Sequence, residues 1–295
     1  WRRKPQTHCN KIKVASYFMT NSYEDRYVNI GELELHYLEW GRASNPPVIL
    51  LHGLRGHAHS WDEVSNSLKD NYNVFAIDQR GRGSSDWSPI QDYSIEAYSN
   101  DLLKFSDLLG LNKFILIGHS MGGRNAMHFA SQHTEKLIKL GIIDIGPKID
   151  SVGSERIGNE MANGPTEFKS FQDIVTHLRE SSPYASDTTL LRRAKYATKI
   201  TDNKTYIWTY DPAIREQRKT GSTIQPLDLW DSIPNINCPT MIFRGIQSDI
   251  LSREVAEKMT NRIPIAETVA INNATHTVFE DNPDDFITEL LKFLS

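Results

Sequence analysis

Six short apolar runs divide this chain, and the segments between them fix its architecture. Val48–Leu51, Asn73–Ile77, Phe114–Ile117, Leu140–Asp144, Thr240–Arg244 and Glu267–Ile271 each read as a strand. Helix-like stretches follow them: Trp61–Leu68, Ile95–Leu109, a stretch running to about His133, Arg253–Asn261 and Pro283–Leu294. Ile95, Tyr98, Leu102, Phe105 and Leu109 recur with a helical period. Strand, helix, strand in alternation predicts an α/β fold, a mostly parallel sheet covered by helices. Ahead of it, Tyr27–Ile30 and Glu32–Trp40 read as a hairpin about Gly31.

The alternation breaks once. After Pro147, residues 148–232 hold helix-like stretches and no strong strand, and proline returns at Pro234 and Pro239 before the pattern resumes. The simplest division is one core domain, 27–147 with 233–295, and an inserted helical cap, 148–232. Residues 1–26 are left as an N-terminal tail. It begins with Trp and lacks a continuous apolar stretch, so it does not read as a signal peptide. Met19 is expected to be the natural start, with residues 1–18 foreign to the native chain; a targeting presequence is the alternative.

Charge removes several classes of function. Lys and Arg number 33 against 37 Asp and Glu, a net charge of −4, and no basic face marks a nucleic-acid partner. No apolar run approaches the ~20 residues that span a bilayer, so no membrane is expected. Two cysteines, Cys9 and Cys238, make no disulfide framework, and a reducing, cytoplasmic setting is the expectation. Monomer and homodimer are both open.

The sharpest local signal is Gly118-His119-Ser120-Met121-Gly122, between the run ending at Ile117 and a helix. A serine exposed at a strand's carboxyl end needs a tight, strained turn, and small residues at 118 and 122 relieve the clashes such a turn creates. Serine is a weak nucleophile at its free pKa and needs a base, itself oriented by an acid. In this architecture the order is Ser, acid, His. His276 lies in the loop before the last helix, 156 residues after Ser120. Two carboxylates compete for the acid: Asp249, after strand Thr240–Arg244, is favoured, and Asp144, ending the strand after the nucleophile helix, is the alternative. The oxyanion hole falls to the N–H groups of Met121 and of Leu54, the latter after His52-Gly53, where glycine lets the backbone come close.

At "LLHG" (50–53), "DQRGRGSSD" (78–86), "GHSMGG" (118–123) and His276 the chain resembles the α/β-hydrolase superfamily, in its capped, carboxylesterase-like serine hydrolase group. The resemblance implies an eight-stranded sheet, a helical lid and a Ser-Asp-His triad. It implies that Asp78 and Arg80 shape a turn rather than react. The usual spacing from the glycine to the acid is three residues, whereas Gly245 to Asp249 is four. Some superfamily members place the acid where Asp144 stands. Ser120 disfavours the relatives that use aspartate at this corner, dehalogenases and epoxide hydrolases.

The expected function is therefore a serine esterase acting on a small-molecule carboxylic ester, with no cofactor. A lactone or carbon–carbon bond hydrolase of aromatic catabolism is the alternative, and a non-hydrolysing receptor on the same fold is the rival from another class. Lid aromatics from Phe168 to Trp230 suggest apolar pocket walls. Arg192, Arg193, Lys195, Arg215 and Arg218 read as a solvated face, with binding of a substrate carboxylate as the other use. Arg55 and Arg124 stand nearest the chemistry in sequence and are the candidate substrate-binding residues. His57, His59 and Asp62 lack the spacing of a metallohydrolase loop, so no metal is expected.

Overall fold

The computed structural model describes residues 22–149, 152–220 and 227–295. The tail through residue 21, with Met19 and Cys9, lies outside the described residues. In chain order the elements are β1 (Tyr23–Asn29), β2 (Glu34–Trp40), β3 (Pro47–Leu51), α1 (Asp62–Leu68), β4 (Asn73–Ile77), α2 (Ile95–Leu108), β5 (Phe114–His119), α3 (Met121–Gln132) and β6 (Leu137–Ile143). Then come α4 (Val152–Asn163), β7 (Glu167–Phe168), α5 (Phe171–Ser181), α6 (Asp187–Ala197), β8 (Thr198–Ile200), β9 (Tyr206–Trp208) and α7 (Pro212–Thr220). The chain closes with β10 (Thr240–Gly245), α8 (Arg253–Arg262), β11 (Ala266–Ile271), α9 (Val278–Asp281) and α10 (Pro283–Leu294).

Eight strands form one sheet in the order β1-β2-β4-β3-β5-β6-β10-β11. β1, β2 and β4 pair antiparallel, and every later neighbour pairs parallel. Side chains of the central strands alternate between two cores, as a strand's period of two requires. Ile49, Leu51, Phe114 and Leu116 join the layer under α2, α3 and α8, with Phe105 and Phe129. Val48, Leu50, Ile115 and Ile117 join the opposite layer with Trp61 from the turn before α1 and Phe286 from α10. Apolar runs without polar interruption are therefore what these doubly covered strands need.

Two expectations are revised. The first strand begins at Tyr23, not Tyr27: β1 pairs Tyr23 with Trp40 through Asn29 with Glu34. β1 is a largely exposed edge strand whose charged "YEDRYVN" hides it from an apolar pattern. The 148–232 segment is not purely helical. β7, β9 and β8 form a three-stranded antiparallel sheet beside its helices. Two or three residues per strand are too few for alternation to register in sequence. This segment has its own apolar cluster, including Phe168, Ile174, Leu178, Leu190 and Trp208, against which Leu54 and Tyr93 of the sheet domain pack. No helix among the described residues is long and apolar enough to cross a membrane.

Candidate active site

Ser120 caps the end of β5 in a conformation that L-residues rarely adopt, with φ +54 and ψ −118. Holding a non-glycine residue there costs about 1–3 kcal/mol, repaid by the packing around it. The turn is forced by close approach: a Cβ on Gly122 would stand 2.3 Å from the Leu51 carbonyl oxygen. The result points the Ser120 hydroxyl away from the sheet, toward the loop after β11.

That loop carries His276, whose Nε2 lies 2.8 Å from Ser120 Oγ. The other ring nitrogen, Nδ1, lies 2.9 Å from Asp144 Oδ2. Asp144 is fully buried just past β6 and also sits at positive φ, +50. The Gly245 N–H donates to its Oδ1 at 3.0 Å, and the Ser248 hydroxyl donates to Oδ2. Burial pushes this carboxyl above its ordinary range, while the hydrogen bonds from His276, Ser248 and Gly245 oppose the rise. A carboxylate facing Nδ1 keeps the proton on that nitrogen and leaves Nε2 as acceptor for the serine hydroxyl.

The favoured acid of the sequence reading, Asp249, is not in this chain of contacts. It is half exposed, and its oxygens take two hydrogen bonds from Arg156 of α4, at 3.0 and 3.1 Å. Partial burial pushes its carboxyl up, but the Arg156 ion pair outweighs this and holds it below its ordinary value. The physical reason for the correction lies one residue back. Ser248, three residues past Gly245, turns toward Asp144, so Asp249 faces outward.

The loop after β3 reaches the same place. Gly53 passes so close that a Cβ there would stand 3.3 Å from Ser120 Cβ and 2.9 Å from His119 Nδ1. His52 fixes the loop: Nε2 accepts from the Gln79 N–H at 3.0 Å, and Nδ1 donates to the Gly53 carbonyl at 2.7 Å. Burial pushes the His52 imidazole down to about 4, so it is neutral. Leu54 lines a cavity with Ser120 and His276. Met121 is the first residue of α3, where a helix N–H has no intrahelical partner. Both residues named for the oxyanion thus stand beside Ser120.

Asp78 and Arg80 do not line this cavity. Asp78 accepts hydrogen bonds from the Ala58 and Ser84 N–H groups and from His36. Burial pushes its carboxyl up, but the His36 contacts outweigh this and bring it to about 2. Arg80 meets Asp101 with two hydrogen bonds, both 2.5 Å. Of the two arginines singled out for substrate, Arg55 lines the cavity and pairs with Glu160 at 2.8 Å. Arg124 does not reach it. The Arg124 guanidinium is buried and donates to the backbone carbonyls of Gly146, Pro147 and Leu227. His59 pairs with Asp62 at 3.1 Å and stacks on Tyr196. Among the described residues no three His, Cys, Asp or Glu side chains converge as a metal site.

Three positioning residues escaped the sequence reading. His119, the variable residue of the serine motif, sits within hydrogen-bond distance of the His276 carbonyl at 2.8 Å; burial pushes its imidazole far down, leaving it a neutral donor. Ser248 steadies Asp144. Arg82, fully buried, donates to the Leu54 carbonyl at 3.3 Å and approaches Met121 Sδ at 3.3 Å, so it touches both residues expected to supply the oxyanion N–H groups. None of these roles has a signal in sequence beyond proximity to a motif.

The cavity holds ≈ 90 Å³ between the sheet domain and the 148–232 segment, with Leu178, Arg193 and Trp208 among its walls. A second hollow, ≈ 180 Å³, lies beside Arg80 and Asp101, without Ser120 or His276 in its lining.

Comparison with known proteins bears on the family and the fold. A family model described as the alpha/beta hydrolase fold matches residues 46–283. A 3-hydroxybutyrate-oligomer hydrolase of Cupriavidus necator is 31% identical over 252 residues, covering 81% of this chain and 86% of that protein. An esterase of Mycobacterium tuberculosis is 27% identical, covering 83% of this chain and 81% of that protein. Among solved structures, an alpha/beta hydrolase from Novosphingobium aromaticivorans superposes with a TM-score of 0.82 at 30% identity, covering 94% of this chain and 99% of its own.

Proposed function

We propose that this chain, which belongs to the α/β-hydrolase family, cleaves small carboxylic esters through a covalent acyl-serine. One observation carries the reading: the unbroken line of hydrogen bonds from Ser120 to His276 to Asp144. Ser120 Oγ attacks the ester carbonyl while His276 Nε2 takes its proton. Asp144 holds the ring in the right tautomer and stabilises the imidazolium that forms. The Leu54 and Met121 N–H groups receive the developing oxyanion, worth about 3–4 kcal/mol for a single such donor in the best-studied case. His276 then protonates the leaving alcohol, and the same base draws a proton from water to release the acid.

The substrate class follows from the cavity and the relatives. A space of ≈ 90 Å³ admits a short acyl chain, and two relatives are an esterase and a hydrolase of 3-hydroxybutyrate oligomers. The 148–232 segment acts as the cap of the site, since its Leu178 and Trp208 close the cavity over Ser120.

The test is turnover of 4-nitrophenyl esters from C2 to C12, with Ser120→Ala alongside. Serine-dependent turnover that peaks at short chains is the expected result. A peak at long chains would refute the confined pocket. No ester turnover, with Ser120-dependent opening of lactones, would replace the ester reading.

A further inference from the structure

We propose that this cavity selects esters carrying a free carboxylate, and that Arg193 binds it. The inference rests on the ester-hydrolase reading of the same site and adds a substrate class to it.

Arg193 stands on α6 and lines the cavity with Ser120, His276, Leu178 and Trp208. Its side chain is only 15% exposed. A guanidinium withdrawn from water this far costs several kcal/mol unless it is well paired. Other arginines of this region meet a carboxylate at shorter range: Arg192 meets Glu63 at 2.7 Å and Arg55 meets Glu160 at 2.8 Å. Arg193 does not. Its Nη1 donates to the Ser182 hydroxyl, a neutral acceptor, at 2.7 Å, and lies 3.5 Å from Glu280. A full charge-assisted hydrogen bond spans about 2.7–2.9 Å.

Glu280 is a weak counter-charge for a second reason. It is buried in the cavity wall, and its Oε1 has no hydrogen-bond partner among the described residues. Burial pushes its carboxyl up and prevails over the opposing pull of Arg193 and Arg192, with the adjacent Asp281 adding to the rise. The more Glu280 is held neutral, the less it compensates the guanidinium. Among the described residues no hydrogen bond engages Arg193 Nε or Nη2, which leaves one edge of a planar fork for a carboxylate. The wall mixes apolar residues, Leu54, Ile157, Leu178 and Trp208, with polar ones, and its other cation, Arg55, is already paired with Glu160 at 2.8 Å, which leaves Arg193 as the cation with an open edge. Arg193 and Ser120 line the same cavity, so a carboxylate on the ester itself would meet the guanidinium.

The carboxylate can belong to either half of the ester, and matched pairs separate the two. Monoethyl glutarate against ethyl pentanoate places it on the acyl side. 4-Acetoxybutanoate against butyl acetate places it on the alcohol side. In each pair a carboxylate replaces a methyl group at constant chain length. In one of the pairs kcat/KM should favour the charged ester by about tenfold or more. Arg193→Gln should bring that ratio to about one, and Arg193→Lys should restore part of it. Glu280→Gln should keep the preference, which separates anion binding from a merely structural Arg193–Glu280 contact. Equal or lower kcat/KM for both charged esters, or a preference that survives in Arg193→Gln, overturns the proposal. If no ester is turned over, the hydrolase reading fails separately. Calorimetry with glutarate then decides: binding that Arg193→Gln abolishes sustains the carboxylate site, and no binding by the native protein overturns it.

Discussion

Asp144 and Asp249 stand just beyond the carboxyl ends of neighbouring parallel strands, yet the structure treats them in opposite ways. Asp144 has no exposed surface, three hydrogen-bond donors and a carboxyl pushed up by burial. Asp249 is half exposed, has one arginine and a carboxyl held down by it. A carboxylate that steadies an imidazolium works through a field that water must not screen, and only Asp144 has such a setting. The one that is easiest to ionise is the one placed where ionisation matters least.

The largest effect expected from this contrast is catalytic. Asp144→Asn should cut ester turnover by about 10⁴-fold, as loss of the orienting acid does in the worked serine triad. Steady-state kinetics would show it, and near-native turnover would break the assignment. Ser248→Ala is next. It removes one donor from a buried carboxylate, so kcat should fall by about tenfold to a hundredfold with KM little changed. Asp249→Asn should leave turnover within about twofold and cost about 0.2–1 kcal/mol in denaturant unfolding, because a half-exposed ion pair is screened.

The smallest effect sharpens the comparison through its sign. The Asp144 carboxyl is raised above its ordinary 3.8 in the folded state, so its contribution favours folding at low pH and is lost as pH rises through the folded value. The Asp249 carboxyl is depressed, so its contribution is present above 3.8 and lost as pH falls through the folded value. Relative to native protein, Asp144→Asn should therefore gain stability as pH rises above 3.8, whereas Asp249→Asn should fall behind as pH rises toward 3.8 and hold level above it. Melting temperatures across pH 3 to 7 would read both; parallel trends would show that the two carboxylates are not distinguished.

The sequence disclosed most of this molecule where physical constraint is local. The central strands show as apolar runs because both their faces are buried, and Ser120 shows because its turn admits only small neighbours. His276 follows from its place before the last helix. The acid does not follow, because strand ends supply two carboxylates and only side-chain direction separates them. The four-residue step from Gly245 to Asp249 was the available clue: the three-residue position is Ser248, which serves Asp144 instead of replacing it. β1 and the small β7-β9-β8 sheet stay hidden for the opposite reason, since exposed or very short strands impose no pattern. Arg124 looked like a substrate ligand from its spacing, one helical turn past Ser120, and only the structure gives its direction.

That direction has a consequence for how such a molecule can be rebuilt. Arg124 holds the chain just before the 148–232 segment, at Gly146 and Pro147, and again near the segment's close, at Leu227. The Leu229 N–H joins the two sides again through the Pro147 carbonyl at 3.1 Å. Every one of these acceptors is a peptide oxygen, the one group that all residues share. At this seam the fastening is thus blind to the side chains it holds, whereas elsewhere the segment is tied down by specific pairs, Arg55–Glu160, Arg192–Glu63 and Arg156–Asp249; a different sequence could share the seam, but it would have to supply its own partners for those charges.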